Sequence, residues 1–211
     1  MPSCTLKWRQ GKLLVSLAPR DKQPYLPSIE SEQWLVDCLK HSPVRLIRID
    51  PDLGESWLKL WADACEQANK AVFLRLPSAR ELPRWRWWWL KRLIDWSAAA
   101  VLLLALSPVM LVLVLLMHVY SPGPLFLRQW YVGERGKLFR VFKFRTTGLE
   151  RLMRKYSLDA LPQLLNVVRG EMSLVGPRPW TLAQAVRLSP EGRQQLNKLP
   201  GIIGAKQVEA S

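Results

Sequence analysis

Asp159, with Lys143 and Arg145 upstream and Arg178 downstream, carries the side chains whose types and spacing suit phosphate chemistry. Asp159 stands in Ser157-Leu-Asp-Ala-Leu-Pro162, just ahead of an apolar run through Leu164, Leu165 and Val168. Proline is tolerated in the first turn of a helix and not further in, so Pro162 sets the helix start near Asp159. That is the positive end of a helix dipole, where free N–H groups favour negative charge and draw in phosphate. On spacing alone an aspartate here is more often an ordinary N-cap than a catalytic group. Lys143 and Arg145 are two residues apart in a strand pattern, so they share a face and can be aimed at one phosphate group, while Arg140 lies on the other face. A solvated strand edge is the commoner use of such charges. Arg178 is set in Gly176-Pro-Arg-Pro179, a turn that is stiff with or without a ligand.

Composition narrows the partners. The chain of 211 residues has 31 Lys and Arg against 17 acids, a net charge of +14. Its partner surface should therefore be anionic: phospholipid, nucleotide phosphate or nucleic acid. Cys4, Cys38 and Cys65 are widely spaced and lack a CxxC pair, which argues against a disulfide framework or zinc site. With His41 and His118 the only histidines, a Ser-His-Asp hydrolase is poorly supported, and oxygen ligands would favour Mg2+ as any metal.

The elements that must position these residues follow in three parts: 1–80, 81–120 and 121–211. In the first, strand patterns at Leu13–Leu17, Val44–Ile49 and Ala71–Leu76 alternate with helix patterns at Ser31–Lys40 and Glu55–Asn69. This predicts a small parallel α/β domain, whose role the sequence leaves open. Arg84-Trp-Arg-Trp-Trp-Trp-Leu-Lys-Arg92 then interleaves basic residues with tryptophan, an interfacial anchor for anionic phospholipid. The next stretch, from Trp96 to Leu127, has no formal charge and is long enough to cross a bilayer as a helix. It is interrupted at Ser107-Pro108, where proline removes a helical hydrogen bond and serine can satisfy the carbonyl released. Basic residues flank it on both sides, which favours a re-entrant helical hairpin with both ends in the cytoplasm; a kinked spanning helix is the alternative. Beyond Ser121-Pro-Gly-Pro124, strands at Leu125–Val132 and Leu138–Arg145 joined at Gly133–Gly136 read as a hairpin. Leu149–Tyr156 reads as a basic amphipathic helix on the membrane surface.

Taken in order, KRLID (91–95), the break at Ser107-Pro108, SPGPLFLRQ, GKLFRVFKFRT, SLDALPQLLNVVRGEMSLVGPRP and PGIIG resemble the monotopic bacterial phosphoglycosyltransferases, over roughly residues 85–208. Within that family the chain looks nearest to short forms associated with heterocyst envelope polysaccharide. The resemblance implies an α+β membrane-associated core with a re-entrant hairpin, placed at the cytoplasmic face of the bacterial inner membrane. It implies an aspartate nucleophile, matched by Asp159, that takes a sugar phosphate from a nucleoside-diphosphate sugar and passes it to polyprenyl phosphate at the start of exopolysaccharide synthesis. Mg2+ held with Asp159 would offset charge, and Lys143, Arg145 and Arg178 would orient phosphates or nucleotide.

The chain also departs from the family pattern. The glutamate expected after Asp159 is Ala160, Tyr131 stands where arginine is usual, Ile203 and Lys206 alter the ending, and the stretch from Thr147 to Ser157 is short. Glu171 is a nearby acid that could replace a metal ligand. Two readings result: a phosphoglycosyltransferase, and a catalytically impaired scaffold or regulator of polysaccharide assembly that keeps the fold. A nucleic-acid binder follows from charge alone, and the apolar segment argues against it.

Overall fold

A computed structural model of the chain describes residues 4–9, 11–17, 32–77, 85–120, 126–144, 158–189 and 192–204. It divides into two compact units that do not follow chain order. The first holds Met1–Ser78, Trp130–Leu138 and Trp180–Asn197; the second holds Ala79–Gln129, Phe139–Pro179 and Lys198–Ser211.

The first unit is built on a four-stranded sheet in the order β1-β2-β3-β4. β1 (Cys4–Arg9) and β2 (Lys12–Leu17) form an antiparallel hairpin turning at Gly11, whose φ of 73° suits glycine. β2, β3 (Leu46–Ile49) and β4 (Ala71–Leu74) are parallel, joined through α1 (Glu32–His41) and α2 (Glu55–Gln67). The expected parallel layer is present, and β1 is an edge strand that the reading of the sequence missed. Alternation decides the core: Leu13 and Val15, Ile47 and Ile49, and Val72 and Leu74 are buried together with Leu58, Trp61 and Cys65 of α2.

Residues far along the chain complete that core. Trp130, Val132, Leu138, Leu182, Ala185 and Leu196 belong to the same apolar cluster, and Trp130 Nε1 donates to Asp63 Oδ1 at 2.7 Å. Here the C-terminal end of β5 (Phe126–Val132) pairs with β8 (Trp180–Thr181), Tyr131 opposite Thr181. β8 leads directly into α5 (Leu182–Arg187), which opens on a capping box: Gln184 N donates to Thr181 Oγ1 at 3.3 Å, and Thr181 N to Gln184 Oε1 at 3.1 Å.

The second unit centres on α3 (Trp85–Tyr120), 36 residues and so about 54 Å of helix. Pro108 lies inside one continuous helix rather than between two, so the predicted break is present only as its local chemistry. The missing N–H of Pro108 orphans the Leu104 carbonyl, and Ser107 Oγ donates to that oxygen at 2.8 Å. Most of α3 is exposed and apolar, Leu104 to 80% and Val119 to 75%. A single stripe at helical spacing is buried or half-buried: Arg92, Asp95, Ala99, Leu103, Leu106, Met110, Leu113 and Met117.

Against that stripe lie β6 (Leu138–Phe144), a 3-10 stretch Leu158–Gln163, α4 (Leu164–Val168) and the parallel pair β7 (Ser173–Val175) and β9 (Gly201–Ile203). β5 and β6 each run through both units, and β6, β5 and β8 follow one another in a three-stranded sheet. The predicted strands of the hairpin and its turn, now Glu134–Gly136, are found. The expected basic helix at Leu149–Tyr156 lies outside the described residues.

Candidate active site

Asp159 occupies the first turn of the 3-10 stretch that feeds α4; the α-helix itself starts at Leu164, after Pro162, and not near Asp159 as the spacing suggested. Pro162 cannot donate back to Leu158, which removes one α-helical bond and leaves the first turns wound more tightly. Leu158 and Leu161 pack into a cluster with Leu113, Met117 and Phe144, joined by Met110 and Val114. Asp159 and Ala160 are therefore held between two leucines seated on the apolar helix, and both are half-buried. Among the described residues no hydrogen bond or ion pair engages the Asp159 carboxylate.

Phe144 links this segment to the cationic strand. It is buried in the cluster that holds Leu158 and Leu161, and Lys143, half-buried, precedes it on β6. The structure thus brings the segments bearing Asp159 and Lys143 together through Phe144. Arg145, expected to share the face of Lys143, lies outside the described residues.

Arg178 is exposed on the loop that follows β7. Two motifs that look separate in sequence make this loop one object. Ser173 N donates to Pro200 O at 2.8 Å, Gly176 N to Ile203 O at 3.0 Å, and Gly201 N to Pro177 O at 2.8 Å. Gly176 and Gly201 touch backbone to backbone: a Cβ on Gly176 would stand 2.8 Å from the Leu199 carbonyl oxygen, and one on Gly201 would run into Gly176 itself. GPRP and PGIIG are two halves of one brace that holds out Arg178.

The basic start of α3 has a second use that composition does not reveal. Lys91 Nζ donates to Val175 O at 3.0 Å, and the Arg92 guanidinium donates to Gly170 O at 2.6 Å and Met172 O at 3.3 Å. Gly170, with φ of 77°, ends α4, so Arg92 places a cation on the negative end of that helix. Buried Asp95 accepts from Ser173 Oγ at 2.7 Å and Leu174 N at 3.3 Å. The KRLID residues clamp the loop between α4 and β7, where the sequence pointed first to an interfacial lipid anchor. Arg128, part of the basic flank, and Arg169 have guanidiniums 5.5 Å and 5.0 Å from the Phe142 ring centre.

Glu171 accepts from Asn166 Nδ2 at 2.8 Å. Among the described residues no group of three or more His, Cys, Asp or Glu side chains could hold a metal ion. A magnesium site built from protein ligands alone does not fit this set; one carboxylate from Asp159 completed by substrate phosphate oxygens does.

An α/β protein with, among the described residues, one helix long and apolar enough to cross a membrane, and an aspartate whose neighbours Leu158 and Leu161 pack against that helix and the end of β6, has the parts of a membrane-associated transferase. Comparison makes the class specific. Residues 86–150 and 145–211 match the model of the bacterial sugar transferase family. The chain is 33% identical over 195 residues to the UDP-glucose:undecaprenyl-phosphate glucose-1-phosphate transferase of Caulobacter vibrioides, a match covering 82% of this chain and 72% of that one. It is 37% identical over 142 residues to the Escherichia coli enzyme of the same name (56% of this chain, 31% of that one). It is 31% identical over 153 residues to the exopolysaccharide production protein ExoY of Rhizobium meliloti (56% and 68%). The chain belongs to the bacterial sugar transferase family. The Caulobacter match covers more of the chain than residues 86–211 contain, so the likeness reaches into the first 85 residues, which the motifs alone did not indicate.

Proposed function

We propose that the protein is a membrane-associated phosphoglycosyltransferase that moves a sugar 1-phosphate from a nucleoside-diphosphate sugar to polyprenyl phosphate, initiating exopolysaccharide synthesis at the cytoplasmic face of the inner membrane. The observation that carries this reading is that Leu158 and Leu161, which flank Asp159, pack into the cluster formed by the apolar helix and Phe144, the residue after Lys143 on β6.

The Asp159 carboxylate oxygen attacks the phosphorus that bears the sugar. A P–O bond to the aspartate forms, the bridging P–O bond breaks, and its electron pair leaves on the nucleoside monophosphate. A phosphate oxygen of the polyprenyl acceptor then attacks the same phosphorus, and the bond to Asp159 breaks to restore the free carboxylate. Lys143 and Arg145 hold phosphate oxygens in line, and Arg178 grips the nucleotide or its phosphates. Mg2+, bound by Asp159 together with diphosphate oxygens, would neutralise developing charge.

Re-entry of α3 is part of the proposal. Its N-terminal turns are held by residues 170–175 through Lys91, Arg92 and Asp95, and its C-terminal turns by Leu158, Leu161 and Phe144. Residues 158–175, together with Phe144, therefore meet α3 at both its N-terminal and its C-terminal turns, which supports both ends lying on the same side of the membrane.

One residue supports the rival reading. Ala160, where the family has glutamate, takes away a carboxylate beside the nucleophile, and a scaffold that retains the fold would need none. Purified protein in liposomes with polyprenyl phosphate, Mg2+ and nucleotide sugars labelled in the sugar separates the two. Label extracted into the lipid phase supports the enzyme; none, across a panel of nucleotide sugars, supports the scaffold.

A further inference from the structure

We propose that Asn166 is a positioning residue that fixes the Asp159 helix against the Lys143 strand, with Glu171 as its partner; this rests on Asp159 being the nucleophile. Asn166 is fully buried in an otherwise apolar stretch. Its Nδ2 donates one hydrogen to Arg140 O at 2.7 Å and the other to Glu171 Oε2 at 2.8 Å, while its Oδ1 accepts from Phe142 N at 3.4 Å. The carbonyl of residue 140 and the N–H of residue 142 point from the same edge of β6. The Asn166 amide therefore fills the place of a neighbouring strand, giving and taking one hydrogen bond as a peptide group would.

Its backbone works in the other direction. Asn166 O accepts from Glu171 N at 2.9 Å and Met172 N at 3.3 Å, drawing the loop toward β7 back onto the helix. One residue thus ties three segments: α4 with the 3-10 stretch before it that holds Asp159, the strand that continues to Lys143, and the loop leading to Arg178. No other side chain of this size supplies that pattern. Aspartate could not donate to Arg140 O, and leucine would leave a buried carbonyl and N–H unpaired. Glu171 needs only to accept, so its charge is not what the node uses.

The test is the rate of phosphosugar adduct formation on full-length protein in liposomes, measured across concentrations of nucleotide sugar. Asn166→Ala is expected to lower the saturating rate about 100-fold, the scale of an ångström's misplacement, with half-saturation moved less than about threefold. Glu171→Gln keeps an acceptor oxygen and is expected to keep both values within about threefold, with unchanged Mg2+ dependence. A folded Asn166→Ala protein reacting at the parental rate would overturn the inference. So would Glu171→Gln with a shifted Mg2+ requirement, which would make Glu171 a metal ligand. If Asn166→Ala does not fold, Glu171→Ala reads the node from its other side: a slower rate at unchanged half-saturation supports it, and an unchanged rate overturns it. Failure of the unsubstituted protein to form any adduct removes the nucleophile reading, and the positioning role with it.

Discussion

Ala160, next to the proposed nucleophile, departs from the pattern of the family that the sequence resembles. Half-buried beside Asp159, it contributes a methyl group where the family pattern has a carboxylate. Ala160→Glu is expected to raise the adduct rate about tenfold or more, equivalent to about 1.4 kcal/mol of barrier, measured at fixed Mg2+. An unchanged rate would mean that the chain has compensated elsewhere. Cys65 gives a prediction independent of function. Burial pushes its thiol from 9.0 up to about 12. The neutral thiol is favoured by folding, so its contribution is complete below pH 9 and lost as pH rises through about 12. In a Cys4→Ser background, a thiol reagent at pH 8 should modify exposed Cys38 in the native protein and Cys65 only after denaturation. Fast native modification of both would contradict the buried placement.

At the scale of elements, periodicity carried far and polar partnering did not. The parallel strands, both helices of the first unit and the hairpin strands were legible because alternation and 3.6-residue spacing each constrain local structure directly, whereas the helix expected to start near Asp159 begins at Leu164, with a 3-10 stretch before it. β1 escaped although Gly11 marks its turn, because an edge strand need not carry a core pattern on its own. The work of Lys91, Arg92 and Asp95 was illegible for a different reason. Their partners, Gly170, Met172, Ser173, Leu174 and Val175, are backbone or small polar groups about 80 residues away, and nothing in a basic aromatic run distinguishes a carbonyl from a lipid phosphate. The GPRP and PGIIG brace is likewise a long-range backbone contact. Asn166 did leave a signal: an amide inside an apolar helical run must find buried partners. Asp95→Ala is expected to lower stability by about 1–3 kcal/mol, by stripping Leu174 N and Ser173 Oγ of their acceptor. Thermal melting in detergent reads it, and a melting curve equal to the parent would show that the clamp contributes nothing.

For the molecule as a whole, a net charge of +14 and an exposed apolar helix together favour an anionic membrane surface over nucleic acid, since the helix has no role in binding phosphate backbones. The arrangement of α3 is testable apart from chemistry. In a cysteine-free background, Trp89→Cys and Val119→Cys should both be labelled by an impermeant maleimide from the cytoplasmic side of the membrane. Labelling from opposite sides would establish a spanning helix and end the re-entry proposal.

The most direct test of the central claim is intact-protein mass spectrometry after brief exposure to a nucleotide sugar and Mg2+ without lipid acceptor. The account predicts a mass increase equal to one sugar phosphate, mapped to the peptide containing Asp159, discharged by polyprenyl phosphate and absent in Asp159→Asn. An adduct on another residue, or one that persists in Asp159→Asn, would contradict it.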